Sequence, residues 1–471
     1  MSQRSGAAVR ADVVVIGAGL AGLAAARTLE TAGCRVCVVE ARHRVGGRTL
    51  SARFGDGAVA ELGGQFVGPG QEAILSLSAE LGLRTFRTFD SGQHLVELVR
   101  GNGKPKLGVF PGVFATAGFL RAQAALDRMA RTVPLGQPWL AARAKTWDGI
   151  TMQTWIRRSA LSRRARALVT VAVRGVLATE PAEISLLHML EQIRSAGGLR
   201  RLVTTSGGAQ QDRFSGGAYE LAEAVAAALT DSPMLGHPVR KVTQDDQGVQ
   251  VMADGLTVHA DQAIVAVPAM PAARIEYSPR LPAGREQLLA RLPHGTAIKC
   301  LARYDAPFWR AAGLSGQVAS AIGPVTSTFD SSPPEGSSGV LLGFVVGDSA
   351  RALWELDKDT ARDRVLDCFV RWFGDRARTP REFILQSWTA EEWTGGCYGP
   401  HPTPGALTSF GRWLREPHGR ISWAGSETAE KWVGCMDGAV TSGYRAAREV
   451  LARQAGTNQA RRPPDSSDKR A

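Results

Sequence analysis

The apolar pattern begins with a short β-branched run, residues 12–16 (DVVVI), followed at once by a glycine-rich turn. Beyond the turn Leu20, Leu23, Ala24 and Leu29 recur at roughly helical spacing, and Gly33 closes the helix. A second apolar run, residues 35–39 (RVCVV), predicts another strand that ends at Glu40. Strand, helix and strand in this order predict a parallel α/β unit. The central chain, with WDGITMQTWIRRS and EISLLHMLEQI, carries helical periodicity and no fingerprint of its own. Residues 339–346 (GVLLGFVV) are β-branched and aromatic and predict a sheet that floors a pocket. The polar stretch 456–471 reads as a disordered tail, and no internal repeat is visible.

Composition narrows the classes. With 44% hydrophobic and 21% charged residues in 471, the chain is globular and has enough apolar residues for a sizeable core. The net charge of +12 comes from 48 arginines and eight lysines against 44 acids. Such basicity permits loose binding to polyanions, and residues 157–166 (RRSALSRRAR) are the best stretch for it. No aromatic residues are interleaved there to stack bases, so a solvated helix face and no nucleic-acid partner are expected. The longest charge-free apolar runs, 13–26 and 107–120, stop near 14 residues and contain glycines. A spanning helix needs about 20. The N-terminus lacks the apolar region and cleavage site of a signal peptide, so no membrane association and a cytoplasmic location are expected. Six cysteines make no disulfide scaffold, and the Cys34/Cys37 pair has no second pair to complete a zinc site. No metal is expected.

Gly17, Gly19 and Gly22 form G-x-G-x-x-G at the strand-to-helix turn, and Glu40 stands 18 residues beyond Gly22. Gly17 permits the tight turn, Gly19 lets backbone approach a pyrophosphate, and Gly22 allows close packing of helix on strand. The helix N-terminus faces the phosphates, and Glu40 can accept from ribose hydroxyls. Leu20 and Ala21 open that helix. NAD and FAD both use such a unit. Further on, Arg42, Gly47 and Arg48 place a flexible turn and fixed cations just past the ribose carboxylate. Glu61-Leu-Gly-Gly-Gln65 then supplies the glycine pair Gly63 and Gly64, where backbone passes close to something flat.

The runs VVIGAGLAGLAAARTLETAG, EARHRVGGRT and ELGGQFVGPGQ together resemble the flavin-containing amine oxidases of the monoamine oxidase type. Residues 207–229, His237-Pro-Val239, residues 260–269, LPHGTAIKCLARYDAPFW, SWTAEEWTGGCYGPHPTPGAL and ISWAGSETAEKWVGCMDGAVTSGYRAAREVL continue the resemblance in the family's order, from about residue 10 to about residue 453. It implies FAD rather than NAD. The implied fold is α/β, a Rossmann-like FAD-binding domain (10–85, 205–300 and 385–455) interleaved with an α+β substrate domain (86–204 and 301–384).

The resemblance also implies roles. Gln65, the backbone of Val239, and Gly425, Ser426, Glu427, Met436 and Ala439 would contact the cofactor. Ser426 and Thr428 are also good helix-capping residues. Cys397, in T-G-G-C-Y, stands where covalent members bond their thiolate sulfur to the 8α-methyl of the flavin. Lys299 resembles the lysine that holds a water beside the flavin and serves dioxygen. Trp388 resembles the neighbouring tryptophan, and Tyr398 one of two tyrosines that cage the amine. The second tyrosine falls on Cys435, and Ser327 stands where a cavity aromatic is typical. Val203, Gln210 and Phe344 would complete the pocket, which should be wider than a two-tyrosine cage.

The expected reaction is oxidation of an amine to an imine, hydrolysed to aldehyde or ketone, with dioxygen reduced to hydrogen peroxide. The alternatives are a relative acting on an amino acid, a polyamine or a natural-product intermediate by desaturation or demethylation, or a flavin-binding protein without turnover. A carboxylate substrate would need a pocket arginine, for which Arg174 and Arg303 are available. A polyamine would need cleft carboxylates, and no acidic run is present. Homodimerisation stays open.

Overall fold

A computed structural model describes residues 7–99, 105–110, 116–159 and 161–460. The run Val13–Ile16 forms a strand with all four side chains buried, because apolar layers cover both of its faces. It pairs in parallel with Val36–Val39 on one side and Gln262–Val265 on the other, and Ile421–Trp423 extends the sheet. Helix Leu20–Thr31 covers one face with Leu23 and Leu29 fully buried. Each such leucine contributes roughly 1.5–3 kcal/mol of burial. The C-terminal helix Met436–Ala460 packs against it so closely that a Cβ on Gly443 would stand 2.2 Å from the Ala21 carbonyl oxygen.

The second layer is a seven-stranded sheet. In spatial order it runs Glu382–Ser387, Ala297–Tyr304, Gly339–Val346, Ser327–Asp330, Leu314–Ser320, Gln93–Val99 and Pro105–Phe110. Gly339–Val346, the expected floor, is buried at every position. The cross-strand register sets Lys299 opposite Phe344, and Phe344 opposite Ser327. Directly paired residues point to the same face, so three of the expected site residues form one row. The expected domain boundaries at 300 and 385 fall inside strands Ala297–Tyr304 and Glu382–Ser387 of this sheet.

Helices Ala117–Ala130, Arg163–Leu177 and Leu186–Ser195 make the helical centre. Two local expectations change here. The arginine run 157–166 is solvated but is not one helix face: Met152–Arg158 ends before it is complete, and Ser162 caps a new helix by accepting from Ala165 N. The stretch read as a tail begins within a helix, since Met436–Ala460 runs on with no proline before Pro463. Residues 461–471 lie outside the described residues. So do residues 1–6 of the N-terminal stretch and part of the apolar run 107–120. Among the described residues no helix is long and apolar enough to cross a membrane.

Candidate active site

A cavity of about 440 Å³ runs between the two layers, from the Gly17–Gly19 turn to the row of Lys299 and Phe344. At its first end Gly17 adopts φ +105°, a conformation that L side chains rarely hold. A Cβ on Gly22 would lie 1.9 Å from the Gly17 carbonyl oxygen, so Gly22 serves packing and does not itself line the cavity. A Cβ on Gly19 would meet nothing nearer than Gly47 Cα at 3.9 Å, which is the clearance a pyrophosphate needs. Gly19 also caps helix Leu20–Thr31 without any side-chain acceptor, and the first turn holds no acid. The first-turn N–H groups and the helix dipole are therefore left to an anion.

Glu40 is buried at the strand tip, where its two oxygens accept from Ala18 N at 2.8 Å and Arg42 N at 3.0 Å. Those bonds aim the carboxylate and leave lone pairs for hydroxyl donors. Arg42 lies 3.7 Å from Glu40 and also binds Thr394. Arg48 donates to the Tyr398 carbonyl oxygen at 2.8 Å and to Ser426 Oγ at 3.3 Å, with Glu427 at 3.7 Å. Gly47, Gly63, Gly64, Val239, Gly425, Ser426, Glu427, Met436 and Ala439 line the same cavity, as do Leu20 and Ala21. The capping expectation for Ser426 and Thr428 does not hold: Gly425 occupies the cap position of the short turn, and Thr428 Oγ1 donates back to the Gly425 carbonyl.

At the other end Lys299 is 3% exposed and donates to Gly63 O at 2.8 Å and to Gln65 Oε1. Its Nζ lies 5.5 Å from the Phe344 ring centroid. Burial holds the lysine well below its ordinary range, while Glu61 and Cys397 pull it back up. Trp388, 1% exposed, is fixed by its Nε1–H to Leu62 O at 2.8 Å. Tyr398 meets Phe344 edge to face, centroids 6.1 Å apart. Burial pushes the Cys397 thiol up to about 11 and the Cys435 thiol up to about 12. Nearby Arg48 and Lys299 act on Cys397 in the opposite sense.

All the expected pocket residues, Val203, Gln210, Ser327, Phe344 and Cys435, line the cavity, with Ser327 and Phe344 in the Lys299 row. Gln210 donates to Leu202 O at 2.9 Å, which leaves its buried Oε1 without a protein partner among the described residues. The structure adds Phe66 and Phe329, rings 5.1 Å apart, and the amides of Gln71, Gln192 and Gln317. Phe329 stands two residues from Ser327 in one strand, and that period of two was the available signal. The arginines considered for a carboxylate are engaged elsewhere. Arg174 pairs with Glu180 at 2.8 Å, and Arg303 with Glu382 at 2.7 Å and Asp56 at 3.2 Å.

The glycine cradle, the open helix N-terminus and the aimed Glu40 fit a dinucleotide. The second glycine pair, with the Lys299–Trp388 wall, fits a flat ring system at its far end. Comparison with known proteins gives the family. A family model described as flavin containing amine oxidoreductase matches residues 20–451. A Mycobacterium tuberculosis chain, AofH, assigned by name to the flavin-containing monoamine oxidases, is 42% identical over 94% of this chain and 96% of its own. Flavin-containing amine oxidase B of Homo sapiens is 36% identical, covering 94% of this chain and 86% of its own. Among solved structures, putrescine oxidase bound to putrescine superposes with a TM-score of 0.90 at 34% identity, covering 95% of this chain and 100% of its own. Cyclohexylamine oxidase from Brevibacterium oxydans gives 0.89 at 32%, covering 94% and 99%.

Proposed function

The chain belongs to the flavin-containing amine oxidoreductases, and from that premise we propose that its substrate is a monoamine with an apolar body, that dioxygen reoxidises the flavin, and that Cys397 carries the flavin covalently. The activity itself is FAD-dependent amine oxidation. The bound flavin supplies the two-electron acceptor, and the protein orients the amine against it. The residues that would hold FAD are those of the cradle, with Glu40 at the ribose and Arg48 beside the diphosphate.

One observation carries the substrate reading. The acids lining the cavity are Glu40, Glu392 and Glu427, and each belongs to the nucleotide end, beside Arg42, Arg240 or Arg274, and Arg48 respectively. Around Tyr398 and Phe344 the lining is apolar, amide or hydroxyl, and its cations are Lys299 and Arg48, the latter engaged by the Tyr398 carbonyl and Ser426. A second ammonium, as in a diamine, would find no carboxylate there. A substrate carboxylate would find no free arginine. Burial in such walls favours the neutral amine, the form whose lone pair can assist loss of hydride from the adjacent carbon. Tyr398 and Phe344 hold the amine-bearing carbon from one side, and Cys435 leaves the opposite side wider than a second ring would. Gln210 Oε1 offers an acceptor to a polar group farther out.

Cys397 lines the cavity between Arg48 and Lys299, whose charges favour the thiolate that bonding to the flavin 8α-methyl requires. Six free cysteines fit a reducing, cytoplasmic setting. The decisive experiment is a panel of monoamines, diamines and amino acids assayed for peroxide release and for anaerobic bleaching of the flavin. Apolar monoamines should bleach it fastest. A preference for diamines or amino acids would overturn the substrate reading.

A further inference from the structure

Gln65 is the second partner of the buried lysine. Its Oε1 accepts from Lys299 Nζ at 2.5 Å, while Gly63 O accepts from the same nitrogen at 2.8 Å. The Gln65 side chain lines the cavity and is 3% exposed, and its buried Nε2 has no hydrogen-bond partner among the described residues. The amide cannot be turned round, because Nε2 would then press its hydrogens against the hydrogens of Lys299. The donor end of Gln65 is thus the end left over for the cavity. A buried amide donor without a partner costs about 1–3 kcal/mol. That cost is offset when an oxygen ligand accepts from it.

We propose that Gln65 is a positioning residue for the reduction of dioxygen. Its Oε1 sets the direction and charge of Lys299, and its Nε2 supplies a second donor beside that ammonium. The proposal rests on the reading that dioxygen is the acceptor. In that step dioxygen takes two electrons and one proton from the reduced cofactor and one proton from solvent, and leaves as hydrogen peroxide. Negative charge develops on oxygen before both protons arrive, and two preorganised donors stabilise it where water is excluded. The groups that act on Lys299 are Glu61 from strand Val59–Glu61, Arg213 from strand Asp212–Phe214, Cys397 from its loop, and the Phe344 ring. Gln65 is the neutral side chain that bonds Nζ directly.

The test uses Gln65→Leu and Gln65→Glu in the holoenzyme. Reoxidation is followed by stopped flow from dithionite-reduced protein, and reduction by a monoamine is followed separately without oxygen. Gln65→Leu should slow reoxidation roughly tenfold, the scale of one net hydrogen bond. Reduction should fall much less than reoxidation, since Gln65 acts mainly in the other half. The pH profile of reoxidation distinguishes positioning from mere packing. Removing the acceptor destabilises the ammonium, so the fall in rate should move to lower pH in Gln65→Leu. A carboxylate beside Lys299 should move it to higher pH in Gln65→Glu. In flavin-free protein, acetylation of Lys299 by acetic anhydride, read by mass spectrometry, should become faster in the leucine variant and slower in the glutamate variant. Unshifted profiles, or equal losses in both halves, would overturn the proposal. If the leucine variant does not fold, the near-isosteric glutamate variant decides alone. Reduced wild-type flavin that dioxygen does not reoxidise would count against the reading of dioxygen as acceptor instead, because the acetylation arm in flavin-free protein does not use it.

Discussion

Arg48 Nη1 donates to the carbonyl oxygen of Tyr398 at 2.8 Å, across 350 residues of chain. The bond ties the glycine turn at Gly46 and Gly47 to the loop that carries Cys397 and Tyr398. On the proposed function, cofactor placement and substrate placement would share one guanidinium.

Arg48→Ala should weaken uptake of FAD by the flavin-free protein about tenfold or more, since a hydrogen bond to a charged group is worth roughly 1.5–3 kcal/mol. Arg48→Lys should recover only part of this, because an ammonium cannot span Tyr398 O and Ser426 Oγ as a planar fork does. Quenching of flavin fluorescence on titration measures both.

Lys299→Met should slow reoxidation of the flavin much more than its reduction by amine, by roughly tenfold or more. The sign of the pH effect follows from the lowered lysine. The ammonium is present below its folded pKa and lost as pH rises through it, so wild-type reoxidation should fall well before the ordinary lysine value of about 10.4. The methionine variant should lack that limb. Comparable losses in both half-reactions would assign Lys299 a structural role.

Cys397→Ala should abolish covalent flavin. Wild-type protein denatured in acid should give a yellow pellet, and the variant a yellow supernatant. The thiol is raised by burial to about 11, so the thiolate fraction grows with pH. Covalent incorporation into flavin-free protein should therefore run faster at pH 9 than at pH 7. Free flavin released from the wild type would end the covalent reading.

Cys435→Tyr should shift preference toward small, flat arylalkylamines by about 1–3 kcal/mol in discrimination, the scale of one pocket contact. The ratio of kcat/KM for a benzylic amine against a bulky alicyclic amine is the quantity to compare. An unchanged ranking would show that Cys435 does not set the width of the cage.

The nucleotide end was readable because its requirements are local. A β-branched strand, three glycines at fixed offsets and an acid at the next strand tip lie within residues 12–40, and the structure joins them as read. Resemblance carried Lys299, Trp388, Tyr398 and Cys397 to the cavity as well. The arginine run 157–166 was misread as one helix face because a single serine, Ser162, competes successfully for the backbone and starts a new helix.

The chain by itself determined the fold class, and its resemblance to a known family gave the chemistry of amine oxidation, since strand pattern and motif order are written along the backbone. Only the tertiary structure decided which side chains remain free. Arg174 and Arg303 are withdrawn by Glu180 and Glu382, Gln65 is bound to Lys299 from 234 residues away, and Phe329 and Phe66 meet as one wall. The Arg303–Glu382 pair arises from strand register, the Gln65–Lys299 and Phe66–Phe329 pairs from segments brought together from afar, and Arg174–Glu180 from the turn that ends one helix. A charge or an amide acquires its partner, and so its chemistry, only when that pairing is complete.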